Sequence, residues 1–469
     1  MLAPSLLVFL SCATTPNPDG APPADSWSLA THESSGRQAV ERPPKRNPEP
    51  VVIHNATVLT ASGDRLESGY VVLSEGRIQS VGTGAPPSVE GAVTLDAQEG
   101  FVTPGLIDTH SHLGVYPSPS ARAHSDGNEA TSPTTPGVWA EHSFWPQDPG
   151  IQRAVAGGVT SMQVLPGSAN LVGGRGVVLH LLPTRGSRAM RFPGAPETVK
   201  MACGENPKRV YGSRSSAPST RMGNLRGQRA AFASAKRLLE DWERYEQEAA
   251  RHRGDDPGPQ APNRDLDQET LIGVLRGEIL PQVHCYRADD MLSFLQLADE
   301  FGFSIRSFHH ALEAYKIRDI LAEKEVSVST WADWWGFKLE AYDGIPHNAA
   351  LVAESGARAI IHSDSAIGIQ RLNQEAAKAY YSGLHAGLKV DENEALRWIT
   401  ANPAWALGIE SEVGTIEAGK RGDVVVWDGH PFSHYSSASV VFIDGVRVHD
   451  AATSTTPWSD FTTGQEVAP

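Results

Sequence analysis

Short apolar runs with the two-residue period of β-strands dominate the start of the foldable sequence. From Val51, the segment VVIHNATVLTASGDRLESGYVVLSEGRIQSVG breaks at Gly63-Asp64 and again at Glu75-Gly76, which predicts hairpins. A similar pattern returns from Thr415 to Val448, where Val-rich runs are punctuated by Gly422, Gly429 and Gly445. The simplest arrangement pairs both ends of the chain into one small β-sandwich domain. Between about Phe101 and Leu407 the rhythm changes. Apolar runs at Leu106–Asp108, Thr160–Leu165, Thr198–Ala202, Gln282–His284, Ser304–Phe308, Val326–Ser329 and Ala359–Ile361 alternate with helical stretches. That alternation predicts βα units around a parallel sheet, a TIM-type (β/α)8 barrel. The stretch Arg226–Arg253 reads as one charged helix on the outside of the barrel, with Phe232, Leu238, Leu239 and Trp242 as its apolar positions. Asp391 with Glu394 predicts a helix N-cap before ALRWIT.

At 469 residues the chain is too long for one ordinary domain. The reading places a signal at 1–12, a tether at 13–50, sandwich strands at 51–103 and 411–455, the barrel at 104–410 and a tail at 456–469. Met1 to Ser11 form a short apolar stretch ending before Cys12, followed by a Pro-rich segment too polar to bury a core. This beginning resembles a bacterial lipoprotein signal, with Cys12 as the lipid-anchored residue, and implies a secreted or cell-envelope location. Forty basic against 55 acidic residues give a net charge of -15, which argues against nucleic acid as the partner. Cys12, Cys203 and Cys285 are too few and too scattered to predict a disulfide framework or a thiolate zinc site. Seventeen histidines carry more information.

The densest local signal is FVTPGLIDTHSHLG, where His110 and His112 flank Ser111 at the end of a strand-like run. Residues two apart on a strand point the same way, so both imidazoles can reach one metal ion, although a pair of surface histidines would share this spacing. The run Pro104-Gly105-Leu106-Ile107-Asp108-Thr109-His110-Ser111-His112 resembles the P-G-[LF]-[IV]-D-x-H-x-H motif of the amidohydrolase superfamily, in particular its imidazolonepropionase-like and prolidase-like members. Gly414 to Val424 (GTIEAGKRGDV) is similar to a second signature of that family, with Gly422 where alanine is usual. Asn402-Pro403-Ala404 and Leu407-Gly408 agree with it too. The resemblance runs from Val51 to Asp450.

The resemblance implies one or two divalent ions, zinc first, held by His110, His112, His284, His310, Asp364 and a carboxylated Lys200. His284 closes the run Leu280–Val283. His310 opens HALEAY, and its neighbour His309 competes with it. Only one of the two should face the barrel mouth, because adjacent strand residues point to opposite sides, and His310 is chosen. Asp364 follows the strand-like run Arg358–Ser363. His362, two residues before it, would be a partner of the ligands. Lys200 lies in an otherwise buried run, with Glu205 as the alternative bridge. The implied chemistry is attack by an ion-activated hydroxide, with Asp364 moving the proton to the leaving nitrogen.

Trp331, Trp334, Trp335 and Phe337 form an aromatic group that would wall the mouth or pack its loop. Arg175 and Arg287 are candidates for a substrate carboxylate, and Trp334 for an apolar substrate contact. The Gly-rich run Pro166–Gly176 matches no nucleotide-binding pattern and reads as a loop. The expected function is hydrolysis of a C–N bond in an amide, cyclic amide or dipeptide. A heterocycle deaminase or an inactive envelope binding protein on the same fold are the alternatives.

Overall fold

The computed structural model describes residues 48–118, 120–253 and 257–454. The expected signal, Cys12, nearly all of the tether and the tail lie outside the described residues.

The chain begins with β1 (Val51–Leu59), β2 (Arg65–Ser74), β3 (Arg77–Thr83), β4 (Val93–Asp96) and β5 (Phe101–Pro104). β2 turns into β3 through Glu75 and Gly76, which both take positive φ (53° and 78°). That is the conformation a two-residue hairpin prefers. The chain ends with β14 (Val424–Trp427), β15 (Ala438–Ile443) and β16 (Val446–Asp450). β14 pairs antiparallel with β5, setting Val425 opposite Thr103, so both ends share one eight-stranded sheet ordered β16-β15-β14-β5-β1-β2-β3 with β4 beside β1. The two-residue period divides its faces. Ile53, Val71, Val102, Val424, Val426 and Phe442 form one core, while Val425, Trp427, Val441 and Ile443 pack into the core of the barrel.

The second eight-stranded sheet comprises β6 (Leu106–Ser111), β7 (Val159–Val164), β8 (Val172–His180), β9 (Glu197–Ala202), β10 (Ile279–Cys285), β11 (Ser307–His310), β12 (Ser327–Thr330) and β13 (Ala359–Ile361), paired in chain order. It is a nearly closed barrel sheet. Between β13 and β6 the Asp364 N–H donates to the His110 carbonyl (2.9 Å) and the Ser363 N–H donates to the Asp108 carboxylate (3.1 Å).

One expectation is corrected here. Of the Gly-rich run Pro166–Gly176, expected as a loop, only Pro166–Leu171 is one; Val172–Gly176 starts β8, which runs antiparallel to both β7 and β9, so the sheet is mixed rather than wholly parallel. Its glycines answer to packing. A Cβ on Gly174, whose φ is +114°, would lie 2.5 Å from the Val138 carbonyl oxygen, and one on Gly176 would lie 2.7 Å from Thr198 Oγ1. Glycine ordinarily weakens a strand, which is why the run reads as a loop.

A second correction concerns cysteine. Cys203 and Cys285 form a disulfide with Cα atoms 5.2 Å apart. They are 82 residues apart in sequence, but β9 and β10 are parallel neighbours in register, His284 facing Ala202, which brings the two following residues side by side.

The expected outer helix spans Arg221–Arg251, capped by Thr220, whose hydroxyl accepts the Gly223 N–H. It lies against the barrel, where Gln228 Nε2 donates to the Ala202 carbonyl (2.8 Å) and Phe232 stacks on Phe303. Asp391 caps the helix Glu392–Arg397 by accepting the Glu394 N–H at 2.7 Å, as its spacing predicts.

Candidate metal centre

Strand ends deliver the chemistry. β6 ends at Ser111, which leaves His110 buried and His112 just beyond, with rings 5.0 Å apart. Asp364 arrives after β13 with a left-handed φ of 48°, and its Oδ1 comes within 3.1 Å of His112 Nε2 and 3.7 Å of His110 Nε2. Its Oδ2 lies 3.9 Å from His310 Nδ1. One ligand atom from each of His110, His112 and Asp364 lies within 4.8 Å of the others, and the same holds for His110, His310 and His362. His284 joins through the His310 ring, with centroids 4.4 Å apart.

Lys200 rises from β9 fully buried, its Nζ 3.2 Å from His110 Nε2 and 3.0 Å from the Pro166 carbonyl oxygen. Burial pushes its pKa down to about 7. Glu205, the alternative bridge, instead faces Lys338 at 3.5 Å.

Hydrogen bonds select the tautomers. Gln282 donates its Nε2 to the Ala406 carbonyl (3.3 Å), which leaves Oε1 to accept from His309 Nε2 at 2.7 Å. His309 Nδ1 is then a bare acceptor for His110 Nδ1–H at 3.0 Å, so His110 presents an unprotonated Nε2 to the centre. His112 donates Nδ1–H to the Leu165 carbonyl (2.8 Å), which turns its Nε2 toward Asp364 Oδ1 at 3.1 Å. Burial above all, then neighbouring positive groups, holds His110, His284 and His310 well below the usual imidazole range, so these rings are neutral. For Asp364, burial works upward, but the hydrogen bond and charge of His112 outweigh it and keep the carboxyl below its usual range.

A divalent cation fits this donor set. His310 Nδ1 is buried with no hydrogen-bond partner, and the Nε2 atoms of His110 and His112 converge on the Asp364 carboxylate at 3.7 and 3.1 Å. Neutral imidazole and carboxylate are ligands for zinc and its neighbours.

The rule that adjacent strand residues face apart fails at His309 and His310. Both rings contact His110, with centroids 4.8 Å away in each case. His310 has a φ of 69°, outside the strand conformation, which swings its ring inward beside that of His309. His309 is therefore a hydrogen-bond partner of His110, a role the sequence reading did not assign. His362 also faces the group, its Nε2 accepting the His310 N–H at 3.3 Å.

Both proposed substrate arginines are engaged by other protein groups. Arg175 is buried, donates to Thr270 Oγ1 (3.0 Å) on the helix Leu266–Leu275 and covers the Trp139 ring. Arg287 is held by Asp289 at 2.8 and 3.0 Å. Trp334 reaches the site at one remove. It stacks on Trp331 (5.1 Å, 18°), and Trp331 stacks on His310 (4.6 Å, 25°). Tyr286, directly after the Cys285 disulfide, also lies along His310 at 5.0 Å. The sequence carried no signal for Tyr286 beyond its closeness to His284.

The amidohydrolase family model matches residues 317–452. The crystal structure of an amidohydrolase from Thermotoga maritima MSB8 superimposes with a TM-score of 0.77 at 37% identity, covering 85% of this chain and 100% of that one. This chain belongs to the amidohydrolase family. Amidohydrolase tasK of Hapsidospora irregularis is 36% identical over 403 residues, which are 81% of this chain and 40% of that longer protein. Imidazolonepropionase of Sphingopyxis alaskensis is 25% identical over 430 residues, 80% of this chain and 90% of its own. Membership makes the chain a metal-dependent hydrolase acting on carbon–nitrogen bonds, and the His and Asp groups described above could hold such a metal.

Proposed function

We propose that this amidohydrolase cleaves the C–N bond of an amide, cyclic amide or dipeptide, using His110, His112, Lys200, His284, His310 and Asp364 to hold one or two divalent ions, zinc first among them. The observation that supports this most is the convergence of the Nε2 atoms of His110 and His112, together with the unpartnered His310 Nδ1, on the Asp364 carboxylate. A bound cation would lower the pKa of water at the centre and polarise the bond to be cut. Asp364 is ionised and placed to take a proton from attacking water and return it to the leaving nitrogen. Lys200, with its amine partly uncharged near neutrality, could attack carbon dioxide and lose a proton, and the resulting carbamate would supply a carboxylate-like ligand to the divalent centre. The wall formed by Trp331 and Trp334 gives the mouth an apolar side for a bulky substrate group, whereas Arg287 would have to leave Asp289 to meet a substrate carboxylate.

The test is a screen of dipeptides and cyclic amides with the zinc-loaded protein. Amine or acid release is expected that falls at least about 10³-fold in His110→Ala and Asp364→Ala. Equal rates in those variants overturn the assignment. The parallel Trp331 and Trp334 rings also suit a flat heterocycle, which favours deamination as a second reading. Ammonia release from purines or pyrimidines, with no cleavage of dipeptides, would select it.

A secreted, Cys12-anchored lipoprotein remains part of this proposal, and the Cys203–Cys285 disulfide supports it, since disulfides persist in oxidising compartments. Palmitate labelling that vanishes in Cys12→Ser is the expected result, and unlabelled cytosolic protein overturns it. We also read residues 51–103 and 411–455 as one domain in which the shared sheet folds on itself as a sandwich. The single core joining Ile53, Val71, Val424 and Phe442 supports that reading.

A further inference from the structure

We infer that the Cys203–Cys285 disulfide is a positioning device for the metal centre, holding His284 in ligand geometry. The inference rests on the metal-hydrolase reading above and adds to it a residue pair that the family motifs do not contain.

Cys285 directly follows His284, and Cys203 directly follows Ala202, the residue paired with His284 across the β9–β10 ladder. The ladder stops there. Past it, the Cys203 N–H donates to the His284 carbonyl (2.9 Å) and the Ala311 N–H donates to the Cys285 carbonyl (2.9 Å). The disulfide therefore sits where the strands would otherwise begin to separate, and both sulfur-bearing residues are buried. Adjacent residues in a strand face opposite sides, so the covalent link on one face of β10 fixes the direction of the His284 imidazole on the other.

The link also sets the segment after β9. Gly204 follows Cys203 with φ 78°, and a Cβ there would lie 2.7 Å from Glu340 Oε1. This tight turn starts the helix Glu205–Gly212, from which Asn206 Nδ2 reaches His284 Nε2 at 3.4 Å while also donating to Ser168 Oγ at 2.8 Å. Two constraints thus meet on His284: the backbone tether through Cys285 and the amide of Asn206, itself placed by Cys203. The backbone tether is the constraint that persists when an ion binds, because Asn206 sits on the Nε2 lone pair and yields it to the ion, and groups that orient ligands commonly change metal affinity by about 10–100-fold.

The experiment uses the full chain prepared in an oxidising host and loaded with zinc or cobalt. Transfer of the metal to a chromogenic chelator is timed for the wild type and for Cys203→Ala/Cys285→Ala, alongside the cobalt absorption spectrum. The expected result is metal release faster by about tenfold or more, a changed cobalt spectrum, and a fall in kcat with KM nearly constant. Phe442→Leu, in the core of the end-built sheet, serves as a comparison for general destabilisation and should leave metal release unaltered. If the double variant does not fold, the wild type is reduced by a phosphine, which delivers two electrons and with two protons yields two thiols, and the same release is timed. Release and spectrum unchanged in the variant, or in the reduced wild type, overturn the inference even if the melting temperature drops. A wild type that retains no transition metal overturns the metal reading itself, a result distinct from failure of the clamp.

Discussion

Ser363 donates both its backbone N–H and its hydroxyl to the carboxylate of Asp108, and that carboxylate also accepts the His110 N–H. The first and last strands of the barrel share no ladder, so this buried carboxylate joins them directly beneath the proposed ligands His110 and Asp364. Burial pushes its pKa up to about 7 despite those three donors. Asp108→Ala leaves the donors buried and unsatisfied, which costs about 1–3 kcal/mol for the first unpaired group alone. We expect a lower urea midpoint at unchanged m-value, together with loss of bound metal. Asp108→Asn, which keeps one acceptor oxygen, should recover part of both.

His309 acts through His110. Replacing it with alanine removes the acceptor that holds the proton on His110 Nδ1 and frees the ring to adopt the other tautomer. Metal affinity should fall by about 10–100-fold. Gln282→Leu, one bond further from the ion, should produce a smaller change in the same direction. Equilibrium dialysis against zinc measures both, and unchanged affinity in His309→Ala would falsify the tautomer argument.

His180, at the end of β8, ties the barrel to the end-built sheet. Its Nε2 lies 2.7 Å from Asp423 and its Nδ1 3.5 Å from Asp444. Burial pulls the imidazole pKa down, but the two carboxylates outweigh it and the net shift is upward. A raised histidine contributes stability that is complete below its unfolded value of about 6.5 and is lost as pH climbs through the folded value. The melting temperature should therefore decline as pH rises above about 6.5, and His180→Asn should flatten that decline while lowering stability at pH 6.

Arg175 offers the opposite kind of test. Because its guanidinium is buried between Thr270 and the Trp139 ring, Arg175→Met should reduce stability by about 2 kcal/mol through the lost charged hydrogen bond. KM for any substrate should stay the same. A selective rise in KM at constant melting temperature would restore the substrate-carboxylate role that its sequence position suggested.

Much of the site was legible because chemistry concentrates at strand ends and strand ends leave a period in the sequence. His110 and His112 two apart, His284 closing an apolar run and Asp364 following the last one are local patterns, and the barrel gathers them as that pattern requires. The hairpin turns at Glu75-Gly76 and Asp444-Gly445 were equally readable, since their positive φ values favour those residue types. The antiparallel β8 was not readable, because its glycines are chosen for the nearness of Val138 and Thr198 rather than for strand propensity.

The sequence by itself determined where strands and helices alternate and that both chain ends are β-rich, because each follows from side-chain type and local period, while the set of candidate ligands came from the motifs that resemble the amidohydrolase family. Only the tertiary structure decided that His309 and His310 both turn inward, that Arg175 leaves the site, that Cys203 meets Cys285, and which nitrogen of His110 stays bare. Those outcomes depend on a left-handed backbone at one residue, on strand register and on hydrogen bonds between positions far apart in the chain. Such distances in space are set by the closed sheet and have no period along the sequence.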